Sequence, residues 1–454
     1  MAIISTNPAT EEILAEFSEL DLSQIETKLA TASSAFSTWK LTSFAERRGL
    51  FLKLVSNLRA NIPEYGKILT AEMGKSYKES LAELEKCAVT MEMYANEAEK
   101  MLAVEQVQTE FSESYVKFEP MGVILAVMPW NFPFWQVLRF AAPALMGGNV
   151  AVLKHASNVP QSALLIEKLF KESGFPEGAF QTLLISSSKV EALIRDWRIK
   201  AVTLTGSEPA GKQVAKVAGE EIKPVILELG GSDPFIVLAD ADLDKVIPNA
   251  VSARIRNNGQ SCIAAKRFIV AAEIYEEFLS RYKLAFEKIV VGDPMLETTE
   301  LGPISTKQGL EDVESQVAAA AAAGAKIILG GKRLAGKGYF YAPTIITEIS
   351  ETNPLYTQEV FGPVASVYSA GSTAEIVHLA NATKFGLGSS IWCKDVAAAK
   401  ELVPQIEAGS VYVNRVMGSD PRMPFGGVKN SGVGRELSHY GIKAFQNVKS
   451  VIVA

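Results

Sequence analysis

The spacing of hydrophobic positions along the 454-residue chain changes more than once. Over residues 22–114 the rhythm is helical. Glu79, Ala82, Glu83 and Lys86 share a polar face there, and Leu81, Leu84 and Ala88 lie on the other. Over 104–118 the pattern alternates, with Tyr115, Lys117 and Glu119 set against Val116 and Phe118, which predicts a half-buried strand or hairpin. From Gly122 onward, short continuous apolar runs alternate with helical segments. Residues 123–127, 150–153, 182–185, 201–204 and 224–227 read as buried strands. Helices are predicted over 135–145, from Pro160 to a stop at Gly174, over 190–195 and over 209–219. Uninterrupted apolar strands separated by helices are what a parallel sheet covered on both faces requires, so the fold class is α/β. A second alternating block runs over 234–412, with an Ala-rich helix over 306–323 and a strand over 326–329. Ligands bind at the carboxyl ends of such strands.

Composition narrows the picture. Hydrophobic residues make up 48% of the chain and charged residues 21%, which is a folded, globular balance. The net charge of −6 leaves no broad basic surface, so no nucleic-acid partner is expected. The apolar run 122–128 is too short to cross a bilayer, and Met1-Ala2-Ile3-Ile4-Ser5 lacks the basic start of a signal peptide. Three cysteines, Cys87, Cys262 and Cys393, do not make a disulfide framework and point to a reducing, cytoplasmic compartment. His155, His378 and His439 are widely separated, so no metal site is expected.

Four strings carry candidate chemistry. In Asn257-Asn258-Gly259-Gln260-Ser261-Cys262, a cysteine follows a glycine-containing turn among polar neighbours. That setting suits a nucleophile exposed to a cleft. Cys87, on a helical segment, and Cys393, in an apolar strand, read instead as small core residues. Glu228 ends the apolar run 225–227 and precedes Leu229-Gly230-Gly231, where a general base belongs; a rim salt bridge is the alternative. Asn131, in Pro129-Trp130-Asn131-Phe132-Pro133, offers an amide to a developing oxyanion, or is simply a turn residue. Thr205-Gly206-Ser207-Glu208-Pro209-Ala210-Gly211 joins a strand to a helix. It lacks the Lys-Ser/Thr of a nucleotide-hydrolysing loop but suits a phosphate at a helix N-terminus.

Together with Glu359-Val360-Phe361-Gly362-Pro363 and Pro424-Phe425-Gly426-Gly427, these strings resemble the aldehyde dehydrogenase superfamily over nearly the whole chain. The resemblance implies two Rossmann-related parallel-sheet domains and a β-flap that pairs with a second subunit. Residues 1–103 and 119–227 would form the cofactor-binding domain and 228–423 the catalytic domain. Residues 104–118 and 441–454 would form the oligomerisation flap and C-terminal strand, with 424–440 as a returning segment. A homodimer or a dimer of dimers follows. The implied catalytic set is Cys262 as nucleophile, Asn131 with the Cys262 backbone N–H as oxyanion donors, and Glu228 as the base that activates water. Trp130, Lys154, Ser157, Gly206, Ser207, Glu359 and Phe361 would hold the dinucleotide.

Arg139 and Arg256 stand eight residues after Asn131 and six before Cys262. Either could hold an anionic tail or sit in a structural ion pair. The pair resembles the succinate semialdehyde dehydrogenase branch, whose carboxylate clamp also has a serine, for which Ser419 is the candidate. Relatives that prefer NAD commonly carry glutamate where this chain has Ser157. Its absence implies NADP as the preferred cofactor and NAD as a weaker one, unless Ser157 merely caps the following helix. Another aldehyde (glutarate semialdehyde, glyceraldehyde phosphate or a neutral aliphatic), acyl transfer to coenzyme A, and a non-catalytic protein on the same fold are the alternatives. Ala264, two residues past the nucleophile, leaves no local cysteine pair.

Overall fold

A computed structural model describes residues 2–454. Strands β1 (Ala2–Thr6) and β2 (Ile13–Ser18) pair antiparallel at the start of the chain. The helical rhythm then resolves into α1 (Leu22–Trp39), α2 (Phe44–Met73) and α3 (Tyr77–Met101). Asp21 with Gln24, and Ser43 with Glu46, close reciprocal capping boxes at the first two helix starts. The helical segment does not extend to residue 114 as the pattern predicts: the chain leaves α3 at Leu102. The alternating pattern wins beyond that point, as β3 (Glu105–Gln106) and β4 (Glu113–Pro120).

The first large sheet contains β5 (Val123–Met128), β6 (Val150–His155), β7 (Phe180–Thr182), β8 (Ile199–Thr205) and β9 (Val225–Glu228). They run parallel in the order β9-β8-β5-β6-β7. Helices α4 (Trp135–Met146), α5 (Pro160–Glu172), α6 (Val190–Arg195) and α7 (Glu208–Glu220) connect them. Strand order reverses between β5 and β8, so their carboxyl ends open a crevice. The strand predicted over 182–185 lies earlier. The Leu183 N–H still reaches the Leu153 carbonyl of β6, but the Leu184 carbonyl accepts the Leu20 N–H instead of continuing the sheet.

The second sheet is built from β10 (Pro234–Val237), β11 (Arg267–Ala271), β12 (Lys326–Leu329), β13 (Thr344–Thr347) and β14 (Val364–Ala370). After the two-residue β15 (Phe385–Gly386), β16 (Gly388–Trp392) and β17 (Ser410–Val413) complete it. Its order is β12-β13-β14-β11-β10-β16-β17, parallel except for the β12 edge. Helix α8 (Leu243–Ile255) leads from β10 towards the Cys262 turn. Cys393 sits one residue beyond β16 rather than within it, but is buried, in keeping with a core role.

The chain then returns to the first sheet. β18 (Val428–Lys429) pairs with β15, and β19 (Gly432–Val433) pairs with β9, setting Gly432 opposite Glu228. β20 (Gln446–Val453) pairs with β4 along its whole length. One apolar core joins α1–α5 to the first sheet and takes in Phe425, Leu437 and Phe445 from the returning segment. Each fully buried Leu, Ile or Phe there contributes about 1.5–3 kcal/mol. That packing fixes the relation between the crevice and the residues that close it. No helix is long and apolar enough to cross a membrane among the described residues.

Candidate active site

The turn 129–133 leaves β5 at the crevice and is held from beneath. Lys75 and Glu83 form a fully buried ion pair. Lys75 Nζ also donates to the Asn131 carbonyl at 3.0 Å. The second oxygen of Glu83 accepts the Phe134 and Trp135 N–H groups, both at 2.9 Å, at the start of α4. A carboxylate at a helix N-terminus is favoured by charge and by hydrogen bonding. His155, at the end of β6, accepts the Ala156 N–H at Nδ1 and so donates from Nε2 to the Pro133 carbonyl at 2.9 Å. Burial lowers its pKa to about 4, so the ring is neutral at pH 7.

The cysteine turn is bent more sharply. Asn257 and Asn258 have φ of 55° and 58°, and Gly259 follows at 74°. Asparagine tolerates this left-handed region better than most residues. A Cβ at Gly259 would lie 2.3 Å from the Gly362 carbonyl oxygen, so only glycine fits. Side chains supply the hydrogen bonds that the bent backbone cannot make. Asn257 Nδ2 reaches the Asn131 carbonyl at 2.8 Å and the Gln260 carbonyl at 3.0 Å. Arg254 donates to the carbonyls of Gly259, Ala265 and Gly362. Lys266 donates to those of Ser261 and Cys262 and pairs with Glu359.

Cys262 lies on the walls of two cavities. One, of about 270 Å³, is lined by Trp130, Asn131, Gly206, Ser207, Glu359 and Phe361 among others. The other, of about 380 Å³, includes Lys86, Trp135, Arg139, Arg256, Ser419 and Phe425. Burial pushes the Cys262 thiol up to about 12, against the pull of Lys266 and Arg139 towards the thiolate. Asn131 is buried, and its Nδ2 donates one hydrogen to the Gln260 carbonyl at 3.1 Å, leaving the second free. Among the described residues the Cys262 N–H has no protein acceptor. Two donors are therefore left unpaired on the cavity wall that Asn131 and Cys262 share.

The smaller cavity has room for the nicotinamide end of a dinucleotide but not for the whole molecule. Trp130 and Phe361 stand edge to face, 5.8 Å apart, as walls of a slot. Glu359 is fixed by Lys266 and by the Gly231 N–H at 3.1 Å. A Cβ on Gly230 would strike that carboxylate at 2.2 Å, so glycine is what lets it approach. Ser207 precedes α7 without capping it through its side chain, leaving N–H groups of the first turn for a phosphate. Lys154, beside Val127 in the sheet register, is buried, and its Nζ has no partner among the described residues. Ser157 is exposed in the turn after β6. It does not cap α5, whose N-cap is Val159. Neither Lys154 nor Ser157 lines the smaller cavity.

Glu228 ends β9 and lies on the wall of neither cavity. It is buried, and neither carboxylate oxygen has a partner. Burial first and the nearby Glu436 second raise its pKa well above the usual carboxylate range, while Arg139 and Arg435 oppose the rise. Arg139 pairs with Glu436 at 2.5 Å and reaches Thr205 Oγ1 at 3.3 Å. It thus faces the larger cavity as an ion-paired cation. Arg256 donates to the Met417 carbonyl at 3.0 Å and has no carboxylate partner among the described residues. Ser419 Oγ accepts from Lys86 Nζ. Asp420, its awkward neighbour, is neutralised by Arg422 at 2.6 Å.

The pattern of the aldehyde dehydrogenase family matches residues 1–451. The chain belongs to the aldehyde dehydrogenase family. It is 50% identical to succinate-semialdehyde dehydrogenase [NADP(+)] 1 of Mycobacterium tuberculosis, covering 100% of both chains. It is likewise 50% identical to succinate-semialdehyde dehydrogenase [NADP(+)] of Mycobacterium avium, covering 99% of this chain and 96% of the relative. The crystal structure of succinic semialdehyde dehydrogenase from Streptococcus pyogenes with NADP+ superposes with a TM-score of 0.98 at 37% identity, over 99% of each chain. Within this aldehyde dehydrogenase, the residues that sequence reasoning missed are Lys75, His155 as a brace, Lys266 and Glu436. Each has at least one partner well separated in the chain, Asn131 for Lys75, Pro133 for His155, Glu359 for Lys266 and Arg139 for Glu436, so no local motif exposes them.

Proposed function

We propose that the protein is an NADP-dependent succinate-semialdehyde dehydrogenase. One observation carries this reading: a single cysteine stands where a dinucleotide slot meets a cavity lined by cations. Residues 1–103 and 119–227 hold the dinucleotide, 228–423 supply the nucleophile, and 424–440 return to close the site. Strands over 104–118 and 441–454 form the flap. Among the described residues the outer edge of β20 is unpaired, and the strand exposes Val448 and Ile452, an apolar edge suited to a second subunit in a homodimer or dimer of dimers.

The chemistry follows from the placement. Cys262 attacks the aldehyde carbon as its thiolate, and the oxyanion falls between the free Asn131 N–H and the Cys262 N–H. When bound in the slot, the nicotinamide dinucleotide supplies the hydride acceptor. The resulting thioester on Cys262 is hydrolysed by a water whose proton passes to Glu228, releasing the acid. Purified protein should reduce NADP with succinic semialdehyde far faster than with butanal; equal rates would sink the substrate assignment.

Arg256 is the cleaner probe of carboxylate recognition, because removing Arg139 would also strand Glu436 beside Glu228. Arg256→Ala should cost about 2–5 kcal/mol in kcat/KM for succinic semialdehyde and much less for butanal. Parallel losses for both aldehydes would make Arg256 a structural residue. The cofactor preference rests on Ser157 with Lys154. A glutamate at 157 would repel the 2′-phosphate of NADP, so Ser157→Glu should lower the NADP-to-NAD ratio of kcat/KM about tenfold or more. An unchanged ratio would remove Ser157 from the argument.

A further inference from the structure

We propose that Lys86 binds the carboxylate of the semialdehyde and sets the enzyme's preference for anionic over neutral aldehydes. This rests on the substrate reading above and adds a residue to it. Lys86 projects from the third turn of α3 into the cavity that Cys262 also lines. Its Nζ lies 4.0 Å from the centre of the Trp135 ring and 2.5 Å from Ser419 Oγ. Those two contacts hold the ammonium beside Arg139 and Arg256.

No carboxylate pairs with Lys86 among the described residues, although several are close. Glu83, one turn back on α3, gives one oxygen to Lys75 and the other to the start of α4. Glu436 pairs with Arg139, and Asp420, next to Ser419, pairs with Arg422. Glu79 accepts the Asn257 N–H at 2.9 Å, and burial raises its pKa, favouring the neutral form. Cys87, the next residue on α3, is buried in the core with a strongly raised pKa. Arg139 from α4 and Arg256 from the cysteine turn add like charge. The protein thus holds a half-buried ammonium beside two guanidinium groups and leaves it without a counter-ion. Such an arrangement is unfavourable until an anion enters. A carboxylate reaching the cavity from an aldehyde seated at Cys262 supplies that anion and takes charge-assisted hydrogen bonds from Lys86 and Ser419. Burial, then Arg139 and Arg256, bring the Lys86 pKa down to about 8, so its charge is lost in mildly alkaline solution.

The test compares succinic semialdehyde with butanal in the wild type, Lys86→Met and Lys86→Arg, as a ratio of kcat/KM. Taking the ratio cancels the ionisations of Cys262 and Glu228, which both aldehydes share. Lys86→Met should lower the ratio about 10- to 100-fold, chiefly through KM for the semialdehyde. In the wild type the ratio should fall as pH rises through about 8, and in Lys86→Arg, whose charge does not titrate there, it should stay flat. A ratio unchanged in Lys86→Met, with the wild type still preferring the semialdehyde, overturns the role of Lys86 and leaves the substrate reading standing. A wild type with no preference overturns the substrate reading itself. If Lys86→Met does not fold, the wild-type pH profile decides: a ratio flat across pH 8 overturns the proposal.

Discussion

Replacing Cys262 with alanine is expected to remove aldehyde turnover by at least about 10⁴-fold while leaving NADP binding nearly intact. The sulfur is the only nucleophile on the wall shared by the two cavities. The other cysteines are buried elsewhere, Cys87 inside α3 and Cys393 behind β16. The turn that presents Cys262 does not depend on its side chain. Its shape is set by Arg254, Asn257 and Lys266 acting on backbone carbonyls. The smaller cavity, where the dinucleotide is proposed to bind, is walled by Trp130, Phe361 and the fixed carboxylate of Glu359. Turnover followed through reduced cofactor, and the NADP-induced shift in Tm, separate chemistry from binding. Normal turnover in the variant would end the assignment. Loss of the Tm shift would show instead that the sulfur supports the slot.

The parallel sheets were legible because buried β-strands write themselves as uninterrupted apolar runs. Residues 123–127 and 201–204 lie within β5 and β8. Errors fell where the pattern is not local. Leu183, Leu184 and Ile185 are as apolar as a strand, but past the Leu183 N–H bond to Leu153 the chain pairs with Leu20 through Leu184 instead of with the sheet. The strings around Asn131, Gly206, Cys262 and Phe361 converge on one crevice because each follows a strand end or a bent turn facing it. What holds them there could not be read from the strings. Lys75 reaches the Asn131 carbonyl across 56 positions, and Asn257 reaches it across 126. The polar face of α3 shows the limit most clearly. Glu79, Ala82, Glu83 and Lys86 follow the period of a helix with a wet side, yet that side lines the larger cavity beside Cys262. Periodicity identifies a polar face; the neighbouring element decides whether it meets bulk water or a ligand.

Replacing Glu228 with glutamine should convert the enzyme into one that acylates and then stalls. Glu228 lines neither cavity, so the amide leaves the approach of the aldehyde to Cys262 unobstructed. A burst of reduced cofactor close to one per site is therefore expected, followed by turnover slowed about 10²–10⁴-fold as water attacks the thioester unaided. The pH profile adds a second signature. Burial and Glu436 raise the Glu228 pKa well above the usual range, so the base is protonated at low pH and becomes competent as pH rises. In the wild type, hydrolysis should climb with pH until that carboxyl ionises. Glutamine has no proton to lose, so the slow phase of the variant should lack that rise. Glu436 amplifies the effect by placing a second buried carboxyl beside the first, and Arg139 limits it by pairing with Glu436. Rapid-mixing experiments over a pH series measure both phases. A lost burst with unimpaired hydrolysis would move Glu228 to the acylation step, and a slow phase that still rises with pH as the wild type does would assign the base to another residue.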